Sequence, residues 1–432
     1  MRVLLVAEAC NPEWVSVPLV GWSHARAIAK LTDAHLATQV RNRDAILRAG
    51  LIEGRDFTPI NTEPLLGRIY QFAGLFGLGE GGRWTALGSM TSLAYPYFEH
   101  LIWRQFGRRI QAGEFDIVHR LIPLNQASPS PLAARCHAAG VPFVLGPLNG
   151  GLPWPHGYED VRKREGEWPS SVREVYRLAP GYHSTRRHAA AIIAASRTAF
   201  KEIPRQYRGK CFYTPENSID PNKFVARRTR RASSPLRVVF VGRLVPCKAV
   251  DLLLEAAAPL ARERKLQLEL IGDGPEMPRL RDLVKREQIE SSVKFAGWVE
   301  HSKLQDRLIE HDLFAFPSIR DFGGGAVLEA MAVGLAPMVV AYGGPAELVT
   351  DRSGFLIPLG PPDEVVARMR AALTDLAAHP GRVDAAGEAS YRRAHTLFTW
   401  DAKARQVVDI YRWILDRQRQ KPRLSIPLPD VA

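Results

Sequence analysis

The fold class of this chain is decided by the stretch Leu313-Phe-Ala-Phe-Pro-Ser-Ile-Arg-Asp-Phe-Gly-Gly-Gly-Ala-Val-Leu-Glu-Ala-Met-Ala-Val-Gly334. Its first four residues are apolar without interruption, which is typical of a strand buried on both faces of a parallel sheet. Three glycines then precede a helical pattern that begins near Ala326. A strand, a glycine-rich turn and a helix in this order form the repeating unit of a doubly wound α/β fold.

The same alternation of short apolar runs and longer helical patterns extends over the whole chain. The apolar runs are Val3–Ala7, Ile117–Val118, Pro142–Leu145, Ile192–Ala195, Val238–Val241, Leu268–Ile271, Leu313–Phe316 and Pro337–Ala341. Helical spacing of leucine and alanine is clearest in Leu252–Leu266 and Met277–Arg286. Because parallel strands need crossover connections of this length, the pattern predicts an α/β protein.

The length of 432 residues is enough for two domains of ordinary size. A charged segment with few apolar residues, Arg227–Pro235, separates the first four apolar runs from the last four. Such a composition is typical of a linker between domains. We therefore predict one doubly wound domain over 1–226 and a second over 227–399.

The composition argues against long disordered stretches and leaves several classes of partner open. Hydrophobic residues make up 46% of the chain and charged residues 24%, which is ordinary for a folded globular enzyme. The formal net charge of +13 favours polyanionic partners, and it leaves nucleic acid, an anionic membrane surface and phosphorylated substrates open.

The four cysteines are scattered, without a Cys-x-x-Cys pair, so we expect neither a zinc site nor a disulfide framework. No apolar run is long enough for a signal peptide core or a membrane-spanning helix. These features predict a cytoplasmic protein.

One segment interrupts the α/β alternation. Residues 65–110 are rich in aromatic residues, leucine and glycine, and arginines follow at 104, 108 and 109. This composition could place the segment on an anionic membrane surface, with peripheral association at its inner face. The alternative, which we favour, is a helical excursion packed within the first domain, because aromatic stripes at helical spacing usually belong to a core.

The residues that suggest chemistry begin in the decisive stretch itself. Gly323, Gly324 and Gly325 precede a helix, so their backbone N–H groups and the helix N-terminus form a natural cradle for a diphosphate. Glu329 is expected in the first turn of that helix, where a carboxylate can accept the hydroxyls of a ribose. Asp321, on the preceding loop, can accept sugar hydroxyls. An acidic residue near a helix N-terminus is also common without any ligand.

A second cluster follows the first strand of the second half, in Phe240-Val-Gly-Arg-Leu-Val-Pro-Cys-Lys-Ala-Val-Asp251. Arg243 and Lys248 lie on the predicted turn between strand and helix, where ligands bind in open α/β sheets. Two cations at this point can neutralise a diphosphate leaving group. Either cation alone would more often be a solvated surface charge, but together with the glycine-rich loop they indicate a binding site.

Taken together, these motifs resemble the retaining nucleotide-sugar glycosyltransferases of the GT-B fold, specifically family four, or group 1. The matching motifs are Gly242-Arg243-Leu244 with Lys248, Ile271-Gly272-Asp273-Gly274, Phe295-Ala296-Gly297-Trp298, Asp321-Phe322 with Glu329-Ala330-Met331-Ala332, Tyr342-Gly343-Gly344-Pro345, Gly354–Ile357 and Asn217–Asp220. The resemblance implies two Rossmann-like domains that face each other across a cleft. It also implies that a closing helix over 400–418 crosses back onto the first domain.

The resemblance implies a role for each matching residue. Arg243 and Lys248 would hold the donor diphosphate with the backbone N–H groups of the three glycines. Asp321 would bind the donor sugar, Glu329 the ribose, and the backbone near Trp298 the nucleobase. Further donor contacts would come from Gly242, Gly272, Gly274 and Phe322.

Two residues of the first domain also match. His119, in Asp116-Ile-Val-His119, would reach the donor sugar, although a lone histidine of this kind is more often a buried core residue. The glycine-rich first loop of the family corresponds to Pro18–His24, where Gly21 could let the backbone approach the diphosphate or the acceptor.

The chain departs from the family pattern at three points. The first acid is Asp321 where a glutamate is usual, so its reach is one methylene shorter. The usual Lys-Gly is Lys248-Ala249, which restricts the backbone at that turn. The first loop has one glycine where relatives often have two. These departures could tune donor choice or positioning, or they could reduce activity.

The function implied by the resemblance is transfer of a sugar from a nucleotide-diphosphate donor to a hydroxyl of a saccharide or lipid-linked acceptor. No metal, no cofactor and no nucleic-acid partner are expected. The alternatives are an epimerase or phosphorylase on the same fold, and a degenerate scaffold that binds a membrane or nucleic acid. A nicotinamide dehydrogenase is disfavoured because the first strand lacks the G-x-G-x-x-G spacing.

Overall fold

The computed structural model describes residues 1–64, 83–166, 177–178, 180–416 and 418–424, with the backbone alone for 83–94 and 180. The chain forms two compact units. The first unit comprises Met1–Gly151, Pro169–Glu216 and Trp400–Ala432, and the second unit comprises Leu152–Trp168 and Asn217–Thr399. Of the segment 65–110 that could lie on a membrane surface, residues 65–82 lie outside the described residues. In its described part, Phe98, Ile102 and Phe106 are buried in the core of the first unit, as the favoured alternative predicts.

The described part of the first unit contains a parallel sheet of seven strands in the order β3-β2-β1-β4-β5-β6-β7. The strands are β1 (Arg2–Ala7), β2 (Asp33–Gln39), β3 (Phe57–Ile60), β4 (Ile117–Ile122), β5 (Phe143–Leu148), β6 (Ala191–Ala194) and β7 (Cys211–Tyr213). The helices are α1 (Val17–Ala29), α2 (Arg43–Arg48), α3 (Arg83–Gln111), α4 (Pro131–Ala138), α6 (Pro180–His188), α7 (Arg197–Glu202) and α15 (Trp400–Leu415). Central strands such as β1 and β4 are buried on both faces, as expected for continuous apolar runs.

The described part of the second unit contains a parallel sheet of six strands in the order β10-β9-β8-β11-β12-β13. The strands are β8 (Leu236–Val241), β9 (Leu266–Ile271), β10 (Val293–Gly297), β11 (Leu313–Phe316), β12 (Ala336–Val340) and β13 (Phe355–Ile357). The helices are α5 (Glu159–Arg164), α8 (Val250–Arg262), α9 (Met277–Arg286), α10 (His301–Leu308), α11 (Gly325–Ala332), α12 (Gly343–Leu348), α13 (Pro362–Ala378) and α14 (Pro380–Leu397). The chain order of strands reverses between β8 and β11, which is the topological switch point of a Rossmann-like sheet.

The predicted α/β class is confirmed, and each of the eight apolar runs forms a strand. One helix boundary is wrong. The predicted helix Leu252–Leu266 ends at Arg262, and Leu266 is the first residue of β9. Arg264 has a positive φ of 56°, and this left-handed turn separates two elements that are both rich in leucine.

The observed units differ from the predicted boundaries of 1–226 with 400–418 and 227–399. Residues from Asn217 onward belong to the second unit, and so does the early segment Leu152–Trp168. Its helix α5 is held there by ion pairs, because Arg164 contacts the carboxylates of Asp251 and Glu276. The second unit therefore contains residues from both halves of the sequence.

The charged segment that we interpreted as a linker is anchored in the second unit. Arg228 is nearly buried, and its guanidinium contacts Asp312 at 3.1 Å and Asp384 at 2.9 Å. Arg230 contacts Asp312 at 2.7 Å. A buried arginine needs carboxylate partners of this kind. The arginines of this segment are therefore explained by ion pairs within the second unit better than by exposure to solvent.

The helix α15 belongs to the first unit and ends at Leu415, within the range 400–418 of the predicted closing helix. Its buried Lys403 donates a hydrogen bond of 2.7 Å to the carbonyl of Pro215 and a second bond to the carbonyl of Glu216. Burial lowers the pKa of Lys403 to about 7. Within the described residues, no helix has both the length and the apolar character needed to cross a membrane.

Candidate functional site

The candidate site lies at the carboxyl ends of β8 and β11, which are neighbours in the sheet of the second unit. The loop after β8 carries Arg243 and Lys248, and the loop after β11 carries Asp321 and the glycines. Two hydrogen bonds join these loops, because the N–H of Ile319 and the hydroxyl of Ser318 both donate to the carbonyl of Cys247 at 3.1 Å. The two sequence clusters therefore meet at the switch point.

Lys248 ends a short 3-10 helix, Pro246–Lys248, and its ammonium group contacts the carboxylate of Asp321. The same ammonium lies 4.9 Å from the centre of the Phe316 ring, which forms an apolar floor beneath it. The lysine therefore extends along the ends of the strands and places its charge at the loop after β11.

The carboxylate of Asp321 is surrounded by donors. The backbone N–H groups of Gly323 and Gly324 donate to its Oδ1 at 3.1 and 2.7 Å, and Lys248 donates to Oδ2. Burial by itself would raise the pKa of Asp321, but the Lys248 ammonium and the two N–H groups outweigh it and lower the pKa. A lysine and two N–H groups thus converge on one anionic group, which is the donor set that a phosphate oxygen requires.

The departure from the Lys-Gly pattern has a conformational consequence. Ala249 has φ 50° and ψ 39°, in the left-handed region that favours glycine. Its backbone connects the 3-10 helix with α8, which begins at Val250. The chain therefore keeps the turn that glycine would allow, at a cost of about 1 kcal/mol for an alanine in this region.

We expect Ala249→Gly to fold at least as well as the wild-type protein, because relief of backbone strain offsets the loss of one buried methyl group. The matched variant Ala249→Val should lower the free energy of unfolding by about 2 kcal/mol, since a β-branched residue disfavours the left-handed region more strongly. Urea unfolding of the three proteins checks this. Equal stability of the glycine and valine variants would contradict it.

The helix after the glycines begins at Gly325, and Gly324 precedes it with φ 62°. Glu329 is the fifth residue of this helix, so the prediction of a first-turn position is wrong and the carboxylate lies in the second turn. Its Oε1 is 2.9 Å from Nε2 of His301, the first residue of α10. The ring of His301 packs edge-on against Phe224, with 5.9 Å between ring centres. His301 therefore orients the acid that we expect to bind ribose.

The contact between His301 and Glu329 predicts a pH dependence. The hydrogen bond that His301 donates to Glu329 raises the pKa of His301 above its usual 6.5. The contact therefore stabilises the folded protein at pH values below the pKa of His301 in the unfolded chain. This stabilisation is lost as the pH rises through the pKa of His301 in the folded protein. We expect the melting temperatures of wild type and His301→Gln to differ at about pH 5.5 and to converge by about pH 8.5. In a Glu329→Gln background, His301→Gln should have no pH-dependent effect.

Two predicted donor-binding glycines, Gly272 and Gly274, allow close packing of backbone. A Cβ on Gly272 would lie 1.9 Å from the carbonyl oxygen of Gly242, and a Cβ on Gly274 would lie 2.3 Å from that of Leu244. Gly272 also has φ 136°. The loop after β9 can therefore lie directly on the loop after β8 only because both positions lack side chains. These glycines therefore help to position the loop after β8, which carries Arg243 and Lys248.

The remaining predicted residues of the second unit surround the same edge of the sheet. Arg243 is exposed on the loop after β8. Trp298 follows β10 and is 71% exposed, an unusual state for an indole and one suited to stacking against a planar ligand. The ring of Phe322 packs against the guanidinium of Arg320, which lies 5.1 Å from the ring centre. Phe322 therefore supports the loop.

In the first unit, two predicted site residues have structural roles in place of the proposed ones. His119 lies on β4, is fully buried, and contacts the hydroxyl of Tyr411 at 2.5 Å and the carbonyl of Gly146 at 2.6 Å. Burial lowers its pKa to about 3. A neutral histidine with both nitrogens engaged in the core joins β4 to α15, and this geometry does not support the proposed contact with a donor sugar.

The proposed glycine-rich first loop is a helix. Pro18–His24 belongs to α1, and a Cβ on Gly21 would lie 2.3 Å from the carbonyl oxygen of Ala9. Gly21 therefore allows α1 to pack against the segment after β1. The proposed approach of this backbone to a diphosphate or acceptor is not supported.

The sequence reasoning missed two contributions to the site. His301 was not selected because it is 28 positions from Glu329 and carries no local motif. Glu165, in the early segment of the second unit, accepts the backbone N–H of Cys247 at 2.8 Å and so holds the turn before Lys248. Within the described residues, no group of three His, Cys, Asp or Glu side chains is arranged to hold a metal ion.

Comparison with solved structures defines the class of fold. The chain resembles Anabaena Alr3699/HepE in its complex with UDP and glucose, with a TM-score of 0.56, 18% identity and coverage of 95% of this chain and 98% of that one. It also resembles sucrose-phosphate synthase (tll1590) from Thermosynechococcus elongatus, with a TM-score of 0.62, 16% identity and coverage of 96% and 98%. Its two Rossmann-like units with parallel sheets match the structures of GT-B glycosyltransferases.

Sequence comparison matches part of the chain to a known family. Residues 235–375 match the family described as "Glycosyl transferases group 1". A D-inositol 3-phosphate glycosyltransferase of Kineococcus radiotolerans is 34% identical over 194 residues, which cover 40% of this chain and 43% of that protein. The chain spans about two fifths of the length of the curated relatives it matches. These matches agree with the motifs of the site in the second unit.

Proposed function

We propose that this protein is a retaining glycosyltransferase that transfers a sugar from a nucleotide-diphosphate donor to a hydroxyl acceptor. The observation that carries the proposal is the convergence of Lys248 with the N–H groups of Gly323 and Gly324 on a single anionic group. The donor diphosphate would take up these contacts, with Arg243 nearby on the same loop. Glu329, oriented by His301, would accept the ribose hydroxyls.

The proposed reaction exchanges one bond for another at the anomeric carbon. The bond from this carbon to the diphosphate oxygen breaks, and a bond to the acceptor oxygen forms on the same face. The proton of the acceptor hydroxyl passes to the departing phosphate oxygen. Lys248 and the backbone N–H groups stabilise the negative charge that grows on the leaving group, so no metal ion is needed in this proposal.

The class of substrate is proposed from the neighbours. One solved relative binds UDP and glucose, and another is named as a lipopolysaccharide outer core galactosyltransferase, WaaB, with a TM-score of 0.53 and 16% identity. We therefore propose a uridine diphosphate sugar as donor, and synthesis of cell-envelope polysaccharide or glycolipid as the process. A saccharide or lipid-linked acceptor would place the enzyme in the cytoplasm, at the inner face of the membrane.

Calorimetric titration with UDP, GDP and ADP in the presence of EDTA tests the donor site. We expect micromolar binding of UDP, strongly weakened in both Lys248→Ala and Glu329→Ala. Lys303 is an exposed lysine on α10, and Lys303→Ala provides a control with the same change of charge as Lys248→Ala. Absence of binding to all three nucleotides, with the protein folded, would leave the degenerate-scaffold alternative.

Product analysis distinguishes a transferase from the two alternative activities on the same fold. An epimerase converts the nucleotide sugar without any acceptor, and a phosphorylase requires inorganic phosphate. We expect neither reaction, and we expect transfer only when a hydroxyl acceptor is added. The anomeric configuration of the product, measured by NMR coupling constants, tests retention, and an inverted product would contradict the proposed same-face attack.

A further inference from the structure

A basic pocket lies in the first unit, on the edge of its sheet where β5 and β6 begin. It has a volume of about 520 Å³, within the range of small-molecule sites. We call it the basic pocket and define it by six of its lining residues, which are His137, Arg187, His188, Lys210, Trp413 and Ile414. Ligands of open α/β sheets usually bind at the opposite edge, where the strands end. The candidate donor site belongs to the second unit, so the basic pocket is a separate feature.

The basic pocket is positively charged, because Arg187 and Lys210 line it. None of its lining residues is acidic. Arg187 is exposed, and its guanidinium makes no hydrogen bond or ion pair with another residue in the described part of the chain. Lys210 donates to the backbone carbonyls of Arg187 at 2.9 Å and Ala189 at 2.5 Å. Burial lowers the pKa of Lys210, which reflects an ammonium group without an anionic partner beside it.

Two histidines add donors at the same place. The rings of His137 and His188 lie 5.1 Å apart, at the last turns of α4 and α6. The Nδ1 of His188 is 2.9 Å from the carbonyl of Ser184 and therefore carries a hydrogen, since a carbonyl oxygen only accepts. Its Nε2 is then left for another partner.

The far wall of the pocket is apolar. Trp413 and Ile414 come from the last turn of α15, and the indole of Trp413 packs edge-on against Phe212, with 5.3 Å between ring centres. This contact fixes the indole plane. Cations on one side and a fixed aromatic wall on the other suit a ligand that joins a phosphate to a less polar group.

We propose that the basic pocket binds a phosphate group. Arg187 would contact two phosphate oxygens, because a guanidinium matches phosphate in a bidentate geometry. The histidines would donate further hydrogen bonds, and Trp413 would contact the group to which the phosphate is attached. The phosphate could belong to a lipid headgroup at an anionic membrane surface or to a free phosphate compound. This binding is independent of the proposed transfer reaction.

The test compares two variants that change the net charge equally. Arg187→Glu alters the pocket, and Arg205→Glu alters an exposed arginine of the same unit outside it. Both are made in a Lys248→Met background, which removes one of the two cations of the candidate donor site, and both are checked for an unchanged melting temperature. If Arg187→Glu does not fold, Arg187→Gln and Arg205→Gln replace the pair.

Two measurements distinguish the sources of the phosphate. Calorimetry with inorganic phosphate measures the free ligand, and sedimentation with phosphatidylglycerol vesicles, against phosphatidylcholine vesicles, measures the headgroup. We expect Arg187→Glu to weaken binding at least about tenfold more than Arg205→Glu in one or both measurements. Loss in the vesicle measurement assigns a headgroup, and loss with inorganic phosphate alone assigns a free compound. Equal effects of the two variants in both measurements would overturn the proposal.

Discussion

Replacement of Lys248 by methionine should lower kcat/KM for sugar transfer by about 100-fold or more, which is the usual loss when one preorganised donor to a developing anion is removed. Methionine keeps an apolar chain over the Phe316 ring, so the floor of the site is preserved. The effect should appear in kcat as well as KM, because charge on the leaving phosphate grows during bond breaking. Steady-state kinetics with the donor identified by calorimetry measure it.

Lys303→Met is the control for the Lys248 variant, because Lys303 is exposed and its nearest acidic partner, Glu300, lies 3.9 Å away. It should keep wild-type kinetics. A Lys248→Met enzyme with unchanged kcat/KM would show that the ammonium group does not stabilise the leaving group. The site described here would then bind the donor without assisting the chemistry.

Replacement of Asp321 by asparagine should have opposite effects on binding and on transfer. In the structure, the Asp321 carboxylate takes up the Lys248 ammonium and the N–H groups of Gly323 and Gly324. These are the groups that a diphosphate would use. A neutral amide competes less for Lys248, so free nucleoside diphosphate should bind roughly tenfold more tightly. Transfer should fall about 100-fold, because the amide no longer accepts the donor sugar's hydroxyls as a charged group would.

Calorimetry with nucleoside diphosphate and kinetics with the full donor check the two effects separately. Asp321→Glu is the matched control, because it keeps the charge and restores the reach of the usual family residue. It should bind nucleoside diphosphate close to the wild-type affinity and retain transfer. If Asp321→Asn weakens nucleoside diphosphate binding as much as Lys248→Met does, Asp321 positions Lys248 and does not compete with the ligand.

The strands that could be predicted from the sequence are those whose residues are apolar on both faces. β1 and β11 are of this kind, and their burial in the centre of a sheet requires it. β2 was missed because Asp33 and His35 interrupt its apolar residues. β10, an edge strand, was missed because it carries Lys294. Strands with one face near solvent have fewer consecutive apolar residues. They are therefore recognised only when the neighbouring strand in the sheet is known.

The candidate site was predictable where its residues form a local motif. Lys248, Asp321 and the glycines lie on two loops that each follow a strand, and parallel strands bring such loops to one edge. The roles of His119 and Gly21 were not predictable, because both depend on contacts with distant residues, Tyr411 and Ala9. A buried histidine and one that contacts a ligand look the same in a sequence. The carboxylate of Glu329 meets His301 only after α10 and α11 have packed.

The early segment Leu152–Trp168 makes the order of synthesis and the order of folding differ. Arg164 of helix α5 and the following Glu165 leave the ribosome before any strand of the second unit exists. Their partners, however, are Asp251, Glu276 and Cys247 of that unit. The segment can pack only after the chain has been synthesised beyond these residues, and the turn that carries Lys248 is stabilised by Glu165 only then. A translated fragment that begins at Asn217 would fold without this support. The candidate donor site is therefore completed late in folding, by residues that are synthesised early.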